Sequence, residues 1–273
     1  MPVTVSPVRP ADLPPVFAAL YGVPEEAVAW LAHVLEEAWA AQNGAGEVVG
    51  AVGLRPSPAH GAELVGGALS GPDHLEAATA LARTAREEAG RVYAFADGSL
   101  FPVEALEAAG YREVGAYRLL AGPTPPGSVE VPGGLRLLPL ADVPDPATRL
   151  DALATYEDRI GHHTVTPEAA ADGAGGFDPH LSLIALDGEG RAAGICRAAP
   201  EELYARIDAP GVRPDLRHTG LRAALLLGVC ALARARGLNH VSLESWGDTP
   251  GELAQDLALG LEVEIENPIL AAG

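Results

Sequence analysis

Apolar positions along this chain recur with two periods. Trp30, Leu31, Val34, Leu35 and Trp39 fit one helical stripe and predict a core-facing helix. A longer helix is predicted from Leu221 to about Arg236, ending at Gly237, where a C-cap glycine belongs. Gly46–Gly50 and Gly190–Gly194 read as turns entering strands of small and β-branched residues, and a further strand runs Val241–Trp246. Each half of the chain repeats one order: strand, helices, two strands, a longer strand, helix, strand, helix, strand. That order predicts an α/β (α+β) fold with a mixed, mostly antiparallel twisted sheet flanked by helices, and a βαβ unit at its end.

The order occurs twice. Gly122-Pro-Thr-Pro-Pro-Gly127, continuing to Pro132-Gly133-Gly134, holds neither helix nor central strand and divides the chain. The expected organisation is a domain over 1–121, a linker over 122–134 and a domain over 135–273. Matched points support a duplication: Ala11-Asp12-Leu13 with Ala141-Asp142-Val143, Gly46–Gly50 with Gly190–Gly194, Val92–Asp97 with Val241–Trp246, and Ala109-Gly110-Tyr111 with Leu259-Gly260-Leu261. Matching Glu63 to Glu202 and Val92 to Val241 places about ten extra residues in the second half, around Gly211 to Gly220.

Composition narrows the function classes. The net charge is −19 and all 18 basic residues are arginine. So acidic a surface repels polyphosphate backbones and anionic membranes, which argues against nucleic-acid or membrane partners. No apolar run reaches the roughly 20 residues of a membrane span, and the N-terminus lacks a signal-peptide pattern. Cys196 and Cys230, each inside an apolar segment, read as buried free thiols of a cytoplasmic protein.

Against that acidity one stretch stands out. Arg206, Arg213, Arg217 and Arg222 lie within seventeen residues, on a loop joining a strand (from about Glu202) to the long helix. A strand-to-helix loop presents backbone N–H groups and the positive end of the helix dipole, which together favour phosphate. Gly220 leaves room for the backbone to approach a ligand. Pro210-Gly211 at the end of the strand marks a bulge or a parting of strands.

Val212-Arg213-Pro214-Asp215-Leu216-Arg217-His218-Thr219-Gly220 resembles the V-x-P-x-x-[RQ]-x-x-G-x-[GA] signature of GNAT acetyltransferases, whose loop holds the coenzyme A pyrophosphate. Leu259-Gly260-Leu261 is similar to the L-G-F that commonly closes the family's second half. The resemblance implies two tandem GNAT-like domains. The second binds acetyl-CoA as co-substrate through Val212, Arg213, Arg217, His218, Thr219, Gly220, Leu221, Arg222 and Asp248, without a metal. It also implies that the fourth and fifth strands part to admit the pantetheine arm, with a freed N–H near Ala209 to Val212 facing the thioester carbonyl. The first half resembles the family only at its ends. Its loop Ser70–Leu75 has no arginine, and Asp73 stands where phosphate would sit, so it reads as a degenerate repeat without the cofactor.

Two positions depart from the family pattern. Arg222 replaces its last small residue, and Asp256 stands where a tyrosine often protonates the departing thiolate. For the base that deprotonates an amine acceptor, Asp208 at the end of the fourth strand and Glu244 within the fifth are the candidates. His162, His163 and His180 lack metal-ligand spacing and read as a polar loop; the segment Arg159 to Pro179 replaces the family's variable second helix, so these histidines are expected to line an acceptor pocket. Two functions remain open: an acyl-CoA-dependent N-acyltransferase acting on an amine, and a non-catalytic CoA-binding or interaction protein of the same fold.

Overall fold

The computed structural model describes residues 2–247 and 249–273. The chain forms two compact units, one of Met1–Ala116 with Asn267–Gly273 and one of Tyr117–Glu266. Each has its own core and is described in turn.

In the first unit the strands are β1 (Thr4–Pro7), β2 (Glu37–Gln42), β3 (Val48–Ser57), β4 (Gly61–Ala68) and β5 (Val92–Phe95). β1 to β4 pair antiparallel in sequence order, and β4 runs parallel to β5. Short helices α1 (Pro14–Tyr21), α2 (Glu25–Val28) and α3 (Leu31–Val34) precede β2, α4 (His74–Ala89) makes the β4–β5 crossover, and α5 (Val103–Ala108) follows. Leu81, Ala78 and Ala85 of α4 are buried among Val52, Leu54 and Leu64 of the sheet. The helical stripe expected through Trp39 stops early. α3 ends at Val34, Trp39 is buried in β2, and Trp30 is half exposed with Arg55 over its ring. Leu35 leaves the helix in an extended conformation, because Glu36 and the residues after it pair with β3.

The next strand, β6 (Arg112–Pro123), contains the boundary between the units and extends through Gly122-Pro123. Those two residues therefore belong to a strand and not to the expected linker: they pair with Val241 and His240, and Thr124 N–H donates to Asn239 O. Proline is tolerated there because it ends the strand.

The second unit continues with β7 (Arg136–Pro139), α6 (Pro146–Leu153), β8 (Leu183–Leu186), β9 (Ala192–Cys196), β10 (Ala198–Pro200), β11 (Ala205–Asp208), β12 (Gly211–Val212), α7 (Leu221–Ala235), β13 (His240–Trp246), α8 (Pro250–Ala258) and β14 (Glu262–Ala272). The strands form two arrays. β7, β8, β9 and β12 are antiparallel neighbours, while β10, β11, β13 and the Tyr117–Pro123 part of β6 form the other, with β11 parallel to β13. On one side Leu221, Leu225, Leu226, Val229 and Cys230 of α7 pack on Ile207, Leu243 and Leu183. On the other, Leu153 and Tyr156 cover Ile184 and Ile195. The last residues of β14, Ile269–Ala272, pair with β5 and so complete the first unit's sheet.

Both cysteines are buried free thiols. Among the described residues no helix is long and apolar enough to cross a membrane.

The duplication shows in packing that sequence matching does not reveal. A Cβ on Gly50 would meet Gly67 O at 2.7 Å, Ala68 Cα at 2.9 Å and Leu81 Cδ1 at 3.0 Å. On Gly194 it would meet Gly211 O at 2.6 Å, Val212 Cα at 3.4 Å and Leu225 Cδ1 at 3.1 Å. Each residue of the second set lies 144 positions after its partner in the first. This offset corrects the ten-residue surplus. The first rung of the parallel pair is Ala62–Val92 in one unit and Ala205–Val241 in the other, 30 and 36 positions apart, so the surplus is six. One of the six lies at the Pro210 bulge and five lie after the mid-helix leucine, toward the fifth strand. None lies in the loop before the helix. Glu202, used for the earlier match, sits in a turn outside the strand, which begins at Ala205.

Candidate active site

Around Pro210 the strands part. Ala198 opposes Ile207, but Ile195 opposes Gly211, so three steps on one strand face four on the other. Up to Asp208 the chain pairs with β13, with Asp208 opposite Glu244. Beyond Pro210 it pairs with β9 alone. The N–H groups follow this switch. Ala209 N–H donates to Glu244 O, so it is not free to meet a ligand, and Arg213 N–H donates to Ala193 O on β9. Val212, one residue earlier on the same ladder, has its N–H turned away from β9.

Past the bulge, a short turn (Pro214–Leu216) leads to Gly220, left-handed at φ 86°, and into α7 without a side-chain cap. Among the described residues, nothing beyond its own chain neighbours lies within 4 Å of where a Gly220 Cβ would be, and His218 and Thr219 are exposed beside it. Next to the loop is a groove of about 580 Å³ lined by Arg217, Gly220, Ala223, Leu226, Gln255 and Leu259, among others. A left-handed glycine and the N–H groups of a helix's first turn are surroundings that favour a phosphate group.

The arginines are not the open cluster that the sequence implied. Arg213 bonds Asp215 and Asp187, with Nη1 also donating to Ala192 O. Arg217 donates through Nε to Val212 O and through Nη2 to both oxygens of Asp158, at 2.7 and 2.5 Å. Arg206 bonds Glu201 and Gly175 O and lies over the Phe177 ring, away from the loop. Arg222 differs most from the expectation of a phosphate contact. Its guanidinium turns inward and grips Asp256 with two 2.7 Å bonds, both side chains being buried. The two departures from the family pattern are therefore the two halves of one ion pair. A buried aspartate requires such a partner, and the adjacent helices α7 and α8 bring one within reach. Asp248 lies outside the described residues.

On the sheet face opposite α7, Asp208 and Glu244 stand side by side. Burial pushes the Asp208 carboxyl up, opposed by Arg197, whose Nε and Nη2 bind Oδ2 at 3.0 and 2.7 Å. Glu244 is also raised, by burial and then by the charge of Asp208, and is half buried with Arg206 Nη1 at 3.9 Å. Both carboxyls are thus raised above their ordinary values, and Glu244 is the less encumbered.

Aromatic rings complete this face. Tyr156 stacks on His162 at 5.1 Å, His162 meets Trp246 at 5.9 Å, and Trp246 packs on Tyr117 at 4.4 Å. Tyr156, His162, Trp246, Asp208 and Pro210 surround a cavity of about 10 Å³ at the bulge. Burial, then Arg159, His163 and Arg197, push the His162 imidazole down to about 4, so it is neutral at pH 7. His163 and His180 are not among the residues around this cavity. Tyr156 and Trp246 were not among the sequence candidates; nothing but their place in three dimensions marks them.

No family model matches the chain. A mycothiol acetyltransferase of Clavibacter michiganensis subsp. michiganensis (strain NCPPB 382) is 41% identical over 78 residues, 29% of this chain and 26% of that protein. The match thus spans about a quarter of that relative's length. Among solved structures, a GCN5-related N-acetyltransferase from Sphaerobacter thermophilus aligns over 99% of this chain and 95% of its own, with a TM-score of 0.61 at 19% identity. A tandem GNAT protein from the clavulanic acid biosynthesis pathway aligns over 99% and 98%, with a TM-score of 0.52 at 18% identity. The fold is that of the GNAT N-acetyltransferases, arranged in tandem.

Proposed function

We propose that this chain of tandem GNAT fold is an acyl-CoA-dependent N-acyltransferase whose second unit carries out the transfer to an amine. The observation that carries the reading is the parting of the strands at Pro210, with Val212 N–H turned into the gap, beside an open groove and an uncapped helix start. Acetyl-CoA fits as the co-substrate and supplies the activated acyl carbonyl. Backbone N–H groups of His218 and of Gly220 to Arg222 hold its pyrophosphate, with Gly220 giving room and Arg217 adding charge, while Thr219 N–H stays with Leu216 O. Arg213 remains with Asp187 and Asp215 and orders the loop, while Arg222 contributes its backbone and ties α7 to α8.

Val212 N–H polarises the acyl carbonyl and takes up the charge that develops on its oxygen. Glu244 accepts the proton that the amine loses as its nitrogen attacks, while Asp208 remains the counter-ion of Arg197. The carbon–sulfur bond then breaks and coenzyme A leaves as a thiolate, which takes its proton from water. Asp256, locked to Arg222, is not available as the acid.

That same lock favours the second reading, a protein that binds CoA without turnover. Calorimetry with CoA and release of thiol from acetyl-CoA across a panel of amines separate the two. Binding with turnover supports the enzyme, binding without turnover on any amine supports the second reading, and absence of binding defeats both.

A further inference from the structure

Two arginines on the site face share one aromatic ring. The guanidinium carbons of Arg197 and Arg206 lie over Phe177, at 4.1 and 4.7 Å from the ring centroid. Arg206 and Asp208, two apart on β11, point to the same face of the sheet, and Arg197 stands opposite Asp208, whose N–H donates to Arg197 O. Phe177 comes from the irregular stretch between α6 and β8 and is buried. Gly175 and Gly176 before it are left-handed, at φ 63° and 79°, and turn the chain back on itself. Gly175 O accepts from Arg206 Nη2 at 2.9 Å, so a ring and a carbonyl two residues apart meet one guanidinium.

The two arginines meet the two carboxylates of the face unequally. Arg197 gives Asp208 two hydrogen bonds, both to Oδ2. Arg206 stops short of Glu244: Nη1 lies 3.9 Å from Oε2, beyond hydrogen-bond reach. Among the described residues no hydrogen bond reaches the Glu244 carboxylate. The bonds of Arg206 fix Nη2 on Gly175 O and, at 3.4 Å, Nε on Glu201 Oε1. A guanidinium held at those two nitrogens still turns about the line joining them, which swings Nη1. The face of the Phe177 ring is what limits that turn.

We propose that Phe177 is a positioning residue that holds Arg206 back from Glu244, leaving Glu244 without a direct counter-ion while Arg197 is committed to Asp208. Its use in catalysis rests on the acyltransferase reading above. A direct bond from Arg206 would favour the charged carboxylate and make it a weaker base. The charged and titratable groups that face Glu244 are Asp208 and Arg206 of β11, Arg197 after β9 and Tyr117 of β6. At its present distance Arg206 pulls the Glu244 carboxyl down, but burial and the charge of Asp208 outweigh it. Closing the gap by a small turn of the guanidinium would reverse that balance. The ring thus separates the roles of the two carboxylates, one bonded to its arginine and one kept from it.

The test titrates Glu244 in the full chain by carboxyl-carbon NMR on isotope-labelled glutamate, with its signal identified by its loss in Glu244→Gln. It needs neither CoA nor an amine. Thiol release tests the acyltransferase reading separately, so failure of the one is not mistaken for failure of the other. Phe177→Leu should move the Glu244 midpoint down, because Arg206 gains a direct bond, and Phe177→Tyr, which keeps the ring, should restore the wild-type value. Arg206→Gln should move the midpoint up. In the Arg206→Gln background Phe177→Leu should have no further effect, a signature that a merely structural loss would not give. Phe177→Met serves as a second variant should Phe177→Leu fail to fold. If Arg206→Gln leaves the midpoint where it is, or Phe177→Leu raises it or leaves it unchanged, the positioning role is overturned. A downward shift that persists without Arg206 overturns it equally.

Discussion

The same strand parting occurs in both units, and they fill it differently. In the first unit Leu100 occupies it. A Cβ on Gly67 would meet Leu100 Cβ at 2.6 Å, and Ala68 N–H donates to Leu100 O at 3.1 Å. Asp97 fixes this plug by accepting the N–H groups of Ser99, Leu100 and Phe101. Ala68 is the counterpart of Val212, 144 positions earlier. A carbonyl of the chain therefore takes the bond of Ala68 N–H, the counterpart of the Val212 N–H to which a ligand is proposed to bind. The remaining site positions differ in the same sense. By the same offset Gly220 corresponds to Glu76, whose carboxylate accepts Val3 N–H, and by pairing register Glu244 corresponds to Phe95. The aspartate in the first unit's loop thus matters less than the leucine that closes the gap.

The largest expected effect carries the first unit's acid into the second. Wild type should bind one CoA per chain, and Gly220→Glu should abolish binding, because a carboxylate then occupies the phosphate position and a side chain is forced to φ 86°. A second site of equal affinity surviving in that variant, measured by calorimetry, would show that the first unit still binds. Next in size, Glu244→Gln should lower kcat by roughly 10²–10⁴ with CoA affinity unchanged. Full activity in Glu244→Gln would move the base to Asp208, where Asp208→Asn then decides.

The Arg222–Asp256 pair has no counterpart in the first unit, where Ala78 stands at the place of Arg222. Asp256→Ala should therefore destabilise the protein by about 3–5 kcal/mol in chemical denaturation, since it leaves a buried guanidinium short of its main partner. Replacing both with apolar residues of similar volume should restore most of the loss. An Asp256→Ala chain as stable as wild type would contradict the buried pairing. Gly211→Ala should cost about 1–3 kcal/mol, because its Cβ would meet Thr155 Oγ1 at 2.5 Å and the Tyr156 ring at 3.0 Å.

The remaining effects are those of pH. Burial alone would raise Glu252, but the hydrogen bonds from Arg159 and Thr249 N–H outweigh it and hold the carboxyl down to about 2, against 4.5 unperturbed. Its contribution to stability should be complete above about pH 4.5 and lost as pH falls toward 2. His162, depressed from 6.5 to about 4, adds an earlier loss as pH falls across that interval, because the unfolded chain takes up the proton first. Denaturation curves of His162→Gln should lack that earlier slope.

Much of this was legible in the sequence because it depends on short-range rules. Periodicity, turn residues and the order of elements gave α7 to within a residue, the βαβ crossover and the bulge at Pro210-Gly211. The signature around Gly220 and the carboxylates on neighbouring strands could be read from local pattern and resemblance. What the sequence could not give was the partner of each charge. Arg213, Arg217 and Arg222 form a positive run in one dimension, yet in the folded chain each faces an aspartate, two of them brought from residues 34 and 59 positions away. Nor could pattern show that Leu100 closes the first unit's gap or that Asn267–Gly273 completes its sheet. Propensity and periodicity act over a few neighbouring residues. Charge pairing, cavity filling and strand exchange depend on which distant segments the packed chain brings together, and only the tertiary structure decides that.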